Sequence, residues 1–156
     1  MIETDRPVLR KMTHGGFDAL CAVFSDVEAM RHYPVPFVRD RVRGWIEWNL
    51  ENYSRYGFGL WSVVLKDTGD VIGDCGITMQ SIEGRMPPEI GYHIRRNLWR
   101  RGYAREVTCA VRDWACRNTS FDALYSYMKY TNTASLRTAL SAGMRMIRNT
   151  RMQSMA

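Results

Sequence analysis

Five arginines crowd one stretch of the sequence: Arg95, Arg96, Arg100, Arg101 and Arg105, with Gly102 among them. A guanidinium carries a planar fork of donors that suits phosphate oxygens. Glycine lets a backbone come close to a ligand. Just before the cluster, Ile90, Tyr92 and Ile94 alternate with the period of a strand. Just after it, Val107, Ala110, Val111 and Trp114 recur along one face of a helix. A helix N-terminus offers free N–H groups and a partial positive charge. Strand, basic turn and helix together describe a phosphate site at a strand–helix junction. The plainer alternative is a solvated basic turn.

The elements that must position this site follow from periodicity and turn residues. Residues 5–11 read as a first strand, 16–24 as a helix, and the stretch 30–36, broken by Pro34 and Pro36, as an ordered loop. Residues 38–56 form the clearest helix, with Val42, Trp45, Ile46, Asn49, Leu50 and Tyr53 at helical spacing. A hairpin comes next, strands 60–65 and 71–79 about a tight turn at 67–70. Gly73 and Gly76 inside its second strand suggest a bulge or close approach of another backbone. Beyond the Glu89 strand and the Gly102 helix, 121–127 reads as a strand. Asn132 opens a short helix, Gly143 fits its C-terminal cap, and 144–152 reads as a last strand. The order β-α-α-β-β-β-α-β-α-β suits a single domain spanning 1–156.

Composition narrows the classes. With 46% hydrophobic and 24% charged residues, the chain is globular in type. No apolar run approaches the ~18 residues that cross a bilayer, and the N-terminus lacks an apolar signal core. A cytoplasmic location is expected. Cys21, Cys75, Cys109 and Cys116 form no Cys-x-x-Cys pair, and Cys109 and Cys116 read as core filling on one helix face. His14, His32 and His93 have no metal-ligand spacing with them. Neither metal nor disulfide is expected. The net charge of +6 permits nucleic-acid binding, but only one local arginine cluster exists, and it fits a small polyphosphate equally well.

Four stretches carry a family resemblance: Thr4-Asp-Arg-Pro-Val-Leu-Arg10; Gly69-Asp-Val-Ile-Gly-Asp-Cys-Gly-Ile77; Glu89-Ile-Gly-Tyr92 with Leu98-Trp-Arg-Arg-Gly-Tyr-Ala-Arg-Glu106; and Asn132-Thr-Ala-Ser135 with Gly143. In this order and spacing the chain resembles the GNAT superfamily of acyl-CoA N-acyltransferases, nearest to its Rim-type branch. The resemblance implies an α/β fold of α+β type: a mixed, mostly antiparallel sheet, flanked by helices and splayed between its fourth and fifth strands. Acyl-CoA would lie in the split. It also implies that Arg100, Arg101, Gly102, Tyr103, Ala104 and Arg105 bind the pyrophosphate. Ile94 and Arg96 would pair with the pantetheine arm as strand backbone, and Asn132 would contact the cofactor. Ser135 would stand near the thioester sulfur.

Amine acylation needs a neutral amine at the thioester carbon, a proton acceptor, and stabilisation of developing charge. Glu89 stands where many members of the superfamily place a glutamate, and is the expected general base. A surface glutamate paired with the nearby arginines is the alternative. His93, on the same strand face, is a second candidate base. The tyrosine that often serves as general acid would fall at Ala139, so no acid is assigned. Only 13 residues follow Gly143, enough for one strand where the superfamily normally has two. A missing C-terminal strand, an exposed edge and a homodimer across it are therefore expected. The activity implied is transfer of acetyl from acetyl-CoA to a primary amine, on a protein N-terminus or a small molecule. A non-catalytic acyl-CoA-binding module is the alternative, with a basic nucleic-acid-binding domain behind it.

Overall fold

The computed structural model describes residues 1–147. Within them, five strands pair in chain order, each antiparallel to its neighbour: β1 (Ile2–Glu3), β2 (Pro7–Lys11), β3 (Leu60–Leu65), β4 (Val71–Met79) and β5 (Pro88–Ile94). The helices are α1 (Phe17–Phe24), α2 (Arg39–Tyr56), α3 (Tyr103–Asn118) and α4 (Thr133–Ser141). One core cluster joins α1 and α2 to the sheet through Leu20, Phe24, Val42, Ile46 and Leu60. The other joins α3 to it through Val107 and Val111 against Ile77, Ile90 and Ile94. Each such side chain, taken fully out of water, contributes about 1.5–3 kcal/mol.

Two buried polar residues anchor α2 to the sheet. Asn49 accepts the Leu60 N–H at 2.7 Å and donates to the Trp45 carbonyl at 2.9 Å. The Tyr53 hydroxyl accepts the Met12 N–H at 3.0 Å and donates to the Leu60 carbonyl. The helix stops at Gly57, whose φ of 79° is a left-handed cap.

The two glycines of β4 permit an approach that side chains would forbid. A Cβ on Gly73 would fall 1.8 Å from the His93 carbonyl oxygen, and one on Gly76 would fall 2.0 Å from that of Gly59. The β3–β4 register also shifts between Val63 and Val64. Of the bulge or close approach expected at these glycines, the structure has both.

The structure corrects the expected strand at 121–127. That segment touches β5 through one parallel bridge, Glu89 to Tyr125. Ile90 N–H donates to the Tyr125 carbonyl at 2.8 Å and Tyr125 N–H to the Pro88 carbonyl at 3.0 Å. No ladder follows, because the segment parts from β5 beyond that point. The departure is the expected splay, and the single bridge is the only parallel pairing among the described residues. β1 was not foreseen; two residues are too few to show a period. Cys116 is exposed rather than core-filling. The last expected strand, 144–152, is absent over 144–147, and the rest lies outside the described residues.

Replacing Gly76 with alanine forces a methyl against the Gly59 backbone, which cannot yield as a side-chain tip can. Gly76→Ala should lower the unfolding free energy by about 3 kcal/mol. Urea denaturation followed by tryptophan fluorescence reads this directly, and a loss below about 0.5 kcal/mol would show the strand spacing to be adjustable.

Candidate active site

The site begins with the open edge of β5. Ile90 turns its N–H away from β4 and towards Tyr125. Backbone groups of successive residues in an antiparallel ladder point to opposite sides, so Tyr92 and Ile94 direct theirs to the open edge as Ile90 does. The Ile94 carbonyl is taken by Trp99 Nε1–H at 2.6 Å. That leaves the Tyr92 N–H and C=O and the Ile94 N–H facing the gap where 121–127 has parted from the strand. Here the expected edge shifts by one pair. β5 ends at Ile94, and Arg96 opens a 3-10 turn, Arg96–Leu98. The Arg96 side chain bonds Asp26 at 2.9 Å and lines a shallow cleft of about 360 Å³ with Asp26, Arg95 and Asn97. The open strand backbone thus lies at Tyr92 and Ile94, and Arg96 falls past the end of β5.

The basic turn then delivers the chain to α3. Arg100 adopts a φ of 60°, a left-handed conformation uncommon outside glycine, and Gly102 follows at 84°. The first α3 hydrogen bond runs from Glu106 N–H to the Gly102 carbonyl at 3.0 Å. The N–H groups of Tyr103, Ala104 and Arg105 therefore lie ahead of the helical ladder, and no side chain caps them. Arg100, Arg101 and Arg105 are exposed around them. Arg6 braces the turn from β2's leading end: it bonds Glu106 at 2.7 Å, donates to the Arg101 carbonyl at 2.9 Å, and stacks on Tyr103 with 4.1 Å to the ring centroid. Glu106 also accepts the Thr4 hydroxyl at 2.7 Å. Partial burial works against the ionised carboxyl, but the Arg6 and Thr4 donors outweigh it and hold Glu106 below its ordinary range. Free amides, exposed guanidinium groups and an unfilled helix terminus are the donor set a pyrophosphate requires.

Side chains of β5 divide the site into two faces. Towards α3, Tyr92 packs on the Val107 cluster and its hydroxyl donates to Ser135 Oγ, 3.3 Å away in the first turn of α4. Asn132 caps that helix, its side-chain oxygen accepting the Ser135 N–H at 3.2 Å. The cap takes one of the two acceptor sites of that oxygen.

Towards α1 and α2, β5 presents Glu89, Gly91 and His93. A Cβ placed on Gly91 would meet nothing within 4 Å, so bare space separates the carboxylate from the imidazole. Burial pushes the Glu89 carboxyl up to about 7, opposed by the Tyr127 backbone N–H and by His93. A carboxyl at that value can exchange protons at neutral pH. His93 is engaged at both ring nitrogens: Nδ1 lies 2.8 Å from Asp74 Oδ1, and Nε2 lies 2.7 Å from the Tyr33 hydroxyl. Asp74 is fully buried and takes a second donor, Trp45 Nε1–H, at 2.9 Å. Phe24 and Trp45 flank the imidazole, with centroids at 4.9 and 6.0 Å. Among the described residues no group of histidine, cysteine, aspartate and glutamate could hold a metal.

The family described as acetyltransferase (GNAT) domain matches residues 6–145. The chain belongs to the GNAT acetyltransferase family. Its relatives include the uncharacterized protein YkkB of Bacillus subtilis strain 168, 35% identical over 142 residues, or 90% of this chain and 83% of YkkB. Another is p20 of Bacillus licheniformis, described as an uncharacterized N-acetyltransferase, 31% identical over 86% of this chain and 76% of p20. The crystal structure of the acetyltransferase from Agrobacterium tumefaciens str. C58 matches at TM-score 0.85 and 25% identity, covering 98% of this chain and 88% of that one. The fold expected of a GNAT enzyme is the fold found.

The residue pattern brought the turn 100–105 into view, and the family resemblance brought Glu89, Ser135, Ile94 and Asn132. Asp74, Tyr33, Trp45 and Tyr92 were not singled out. Asp74 sits in an otherwise apolar strand, and that misplaced charge opposite a histidine in register was the available signal.

The Asp74–His93 contact makes stability depend on pH. Burial disfavours the imidazolium, but the Tyr33 oxygen and the Asp74 carboxylate outweigh it and hold His93 up to about 10. A raised folded-state value means stabilisation that is full below the ordinary histidine range of about 6.5. It is lost as pH rises through about 10. Thermal unfolding between these values should show a falling Tm in the native chain and a flatter curve in His93→Gln. Parallel curves would assign the alkaline loss to other groups.

Proposed function

We propose that this chain is an N-acetyltransferase of the Rim-type branch. It transfers acetyl from acetyl-CoA to a primary amine, on a protein N-terminus or a small molecule, by direct attack. The observation that carries this reading is the open edge of β5: it runs from Glu89, past the unpaired Tyr92 backbone, to the uncapped start of α3. Pantetheine would add itself to that edge as a strand does. Pyrophosphate would meet the Tyr103, Ala104 and Arg105 amides, with Arg100 and Arg101 supplying charge. The acceptor would enter from the α1/α2 face, over Gly91.

In this reading the neutral amine attacks the thioester carbon, and Glu89 takes the one proton that its nitrogen sheds as the bond forms. The Tyr92 N–H, aimed into the gap, supports the oxygen as it gains charge. Collapse breaks the carbon–sulfur bond and releases CoA as thiolate. A cytoplasmic location and a homodimer formed through the C-terminal part of the sheet belong to the same proposal.

Calorimetric titration with acetyl-CoA should give micromolar binding, with little for ATP. Glu89→Gln should then lower turnover by about 10²–10³-fold across a panel of primary amines, with acetyl-CoA affinity within about twofold of native. Native turnover should rise as pH passes about 7, where Glu89 ionises. Binding without turnover on any amine would favour an acyl-CoA-binding module, and equal losses of affinity and rate in the variant would make Glu89 structural.

A further inference from the structure

The turn before α3 contains one peptide plane that its own sequence does not fix. The Gly102 carbonyl is held by the helix, accepting the Glu106 N–H at 3.0 Å. The peptide before it, Arg101–Gly102, belongs to no helix or strand. Gly102 has a φ of 84°, but glycine adopts either sign of φ about equally well. A half-turn of this plane is therefore open to the chain, and it would exchange the directions of the Arg101 carbonyl and the Gly102 N–H. One side chain holds the plane. Arg6 Nη1 donates to the Arg101 carbonyl at 2.9 Å. The same guanidinium is fixed on two further sides. Nε donates to Glu106 Oε2 at 2.8 Å with Nη2 2.7 Å from that oxygen, and the central carbon lies 4.1 Å from the Tyr103 ring centroid. The direction of each hydrogen bond is set by chemical type, since a guanidinium only donates and a carbonyl or carboxylate only accepts. A trans peptide points its C=O and N–H in opposite directions, and no described residue has a cis bond. With its carbonyl on Arg6, the plane directs the Gly102 N–H away from Arg6. That N–H has no partner among the described residues, and it immediately precedes the uncapped N–H groups of Tyr103, Ala104 and Arg105.

We propose that Arg6 is a positioning residue for the pyrophosphate of acetyl-CoA: by holding the Arg101 carbonyl it turns the Gly102 N–H towards the ligand, as a fourth amide beside those of Tyr103, Ala104 and Arg105. The inference rests on the acetyl-CoA reading above and extends its phosphate site to the leading end of β2. In the reversed plane the Arg101 carbonyl would stand where that N–H stands, and its partial negative charge would oppose a phosphate oxygen. The hold thus adds a donor and removes an acceptor at one stroke. An ion pair with Glu106 alone would need neither the carbonyl nor the ring. Lysine at position 6 could not take over the task. Its ammonium is a point charge on a flexible stem, without the planar fork that spans carboxylate and carbonyl while lying on an aromatic face.

The test reads the peptide itself and needs no acceptor. Protein labelled with nitrogen-15 at glycine gives an amide signal for each of its 12 glycines, and the Gly102 signal is the one that Gly102→Ala removes. In the native chain, saturating acetyl-CoA should displace that signal. In Arg6→Lys the signal should be displaced before any ligand is added, and its response to acetyl-CoA should be lost. Acetyl-CoA affinity by calorimetry should fall about tenfold, the effect of losing one hydrogen bond to a charged group. Signals of the β4 glycines, Gly73 and Gly76, should coincide in the two proteins as proof of an intact sheet. Native affinity in Arg6→Lys overturns the proposal whatever the Gly102 signal does, because charge alone would then suffice. A tenfold loss with the Gly102 response retained overturns it as well, since Arg6 would then act on phosphate directly. Displacement of Gly73 and Gly76 together with Gly102 would make Arg6 a general structural support, which also overturns it. A native chain that binds no acetyl-CoA ends the reading above, a separate outcome, and the free Gly102 signal in Arg6→Lys still decides whether Arg6 holds the peptide. Should Arg6→Lys fail to fold, Arg6→Gln, whose shorter amide cannot span the carbonyl and the carboxylate, carries the same comparison.

Discussion

One separation governs this molecule. The segment at 121–127 meets β5 at a single bridge and then departs, leaving half of a strand edge without a partner. Unpaired backbone inside a protein is costly, and an open edge invites pairing with other chains. Here the edge is short and lies in a cleft between elements. Trp99 closes one end by binding the Ile94 carbonyl, and the Tyr125 bridge closes the other. What remains open, the backbone of Tyr92 and the Ile94 N–H, is a short edge that a ligand with amides of its own could pair with.

The elements on either side hold that edge still. β4 approaches β5 at glycine distance, so β5 has little freedom to close the gap by shifting. On the α1/α2 face, the buried Asp74 binds α2 through Trp45 and β5 through His93, and His93 extends the chain of contacts to Tyr33 in the proline-broken loop. Removing either partner of such a buried pair would leave the other's charge uncompensated, so the pair ties its elements together. A helix, two strands and a loop share one carboxylate, and none can move alone. The strand's period of two does the remaining work, sending Glu89 and His93 to one side and Tyr92 to the other.

Much of this was legible in the residues. The tight turn at 67–70 placed β3 and β4, alternation placed β5 nearly to the residue, and the lengthening apolar period from Gly102 marked the start of α3. The segment 121–127 was misread as a strand because alternation reports exposure of two faces, not the presence of a partner. Arg96 was placed one pair too far along β5, since nothing in the run Arg95-Arg96-Asn97 announces a 3-10 turn. Tyr33 and Asp74 are distant in sequence from His93 and share no period with it, so their meeting is a property of the fold. Asn132 was foreseen as a ligand contact; its oxygen is engaged in capping α4, a duty that short polar residues perform at many helix starts.

The contacts of Arg6 link the beginning of the chain to the ligand end of α3. Arg6 covers Glu106, the one acidic side chain in the first turn of a helix whose terminus otherwise presents only positive charge. A chain trimmed at its start by a handful of residues would lose no group from the cleft. It would nevertheless uncover a carboxylate at the uncapped, arginine-rich start of α3, so that the terminus remotest in sequence from the arginine turn governs the charge displayed there.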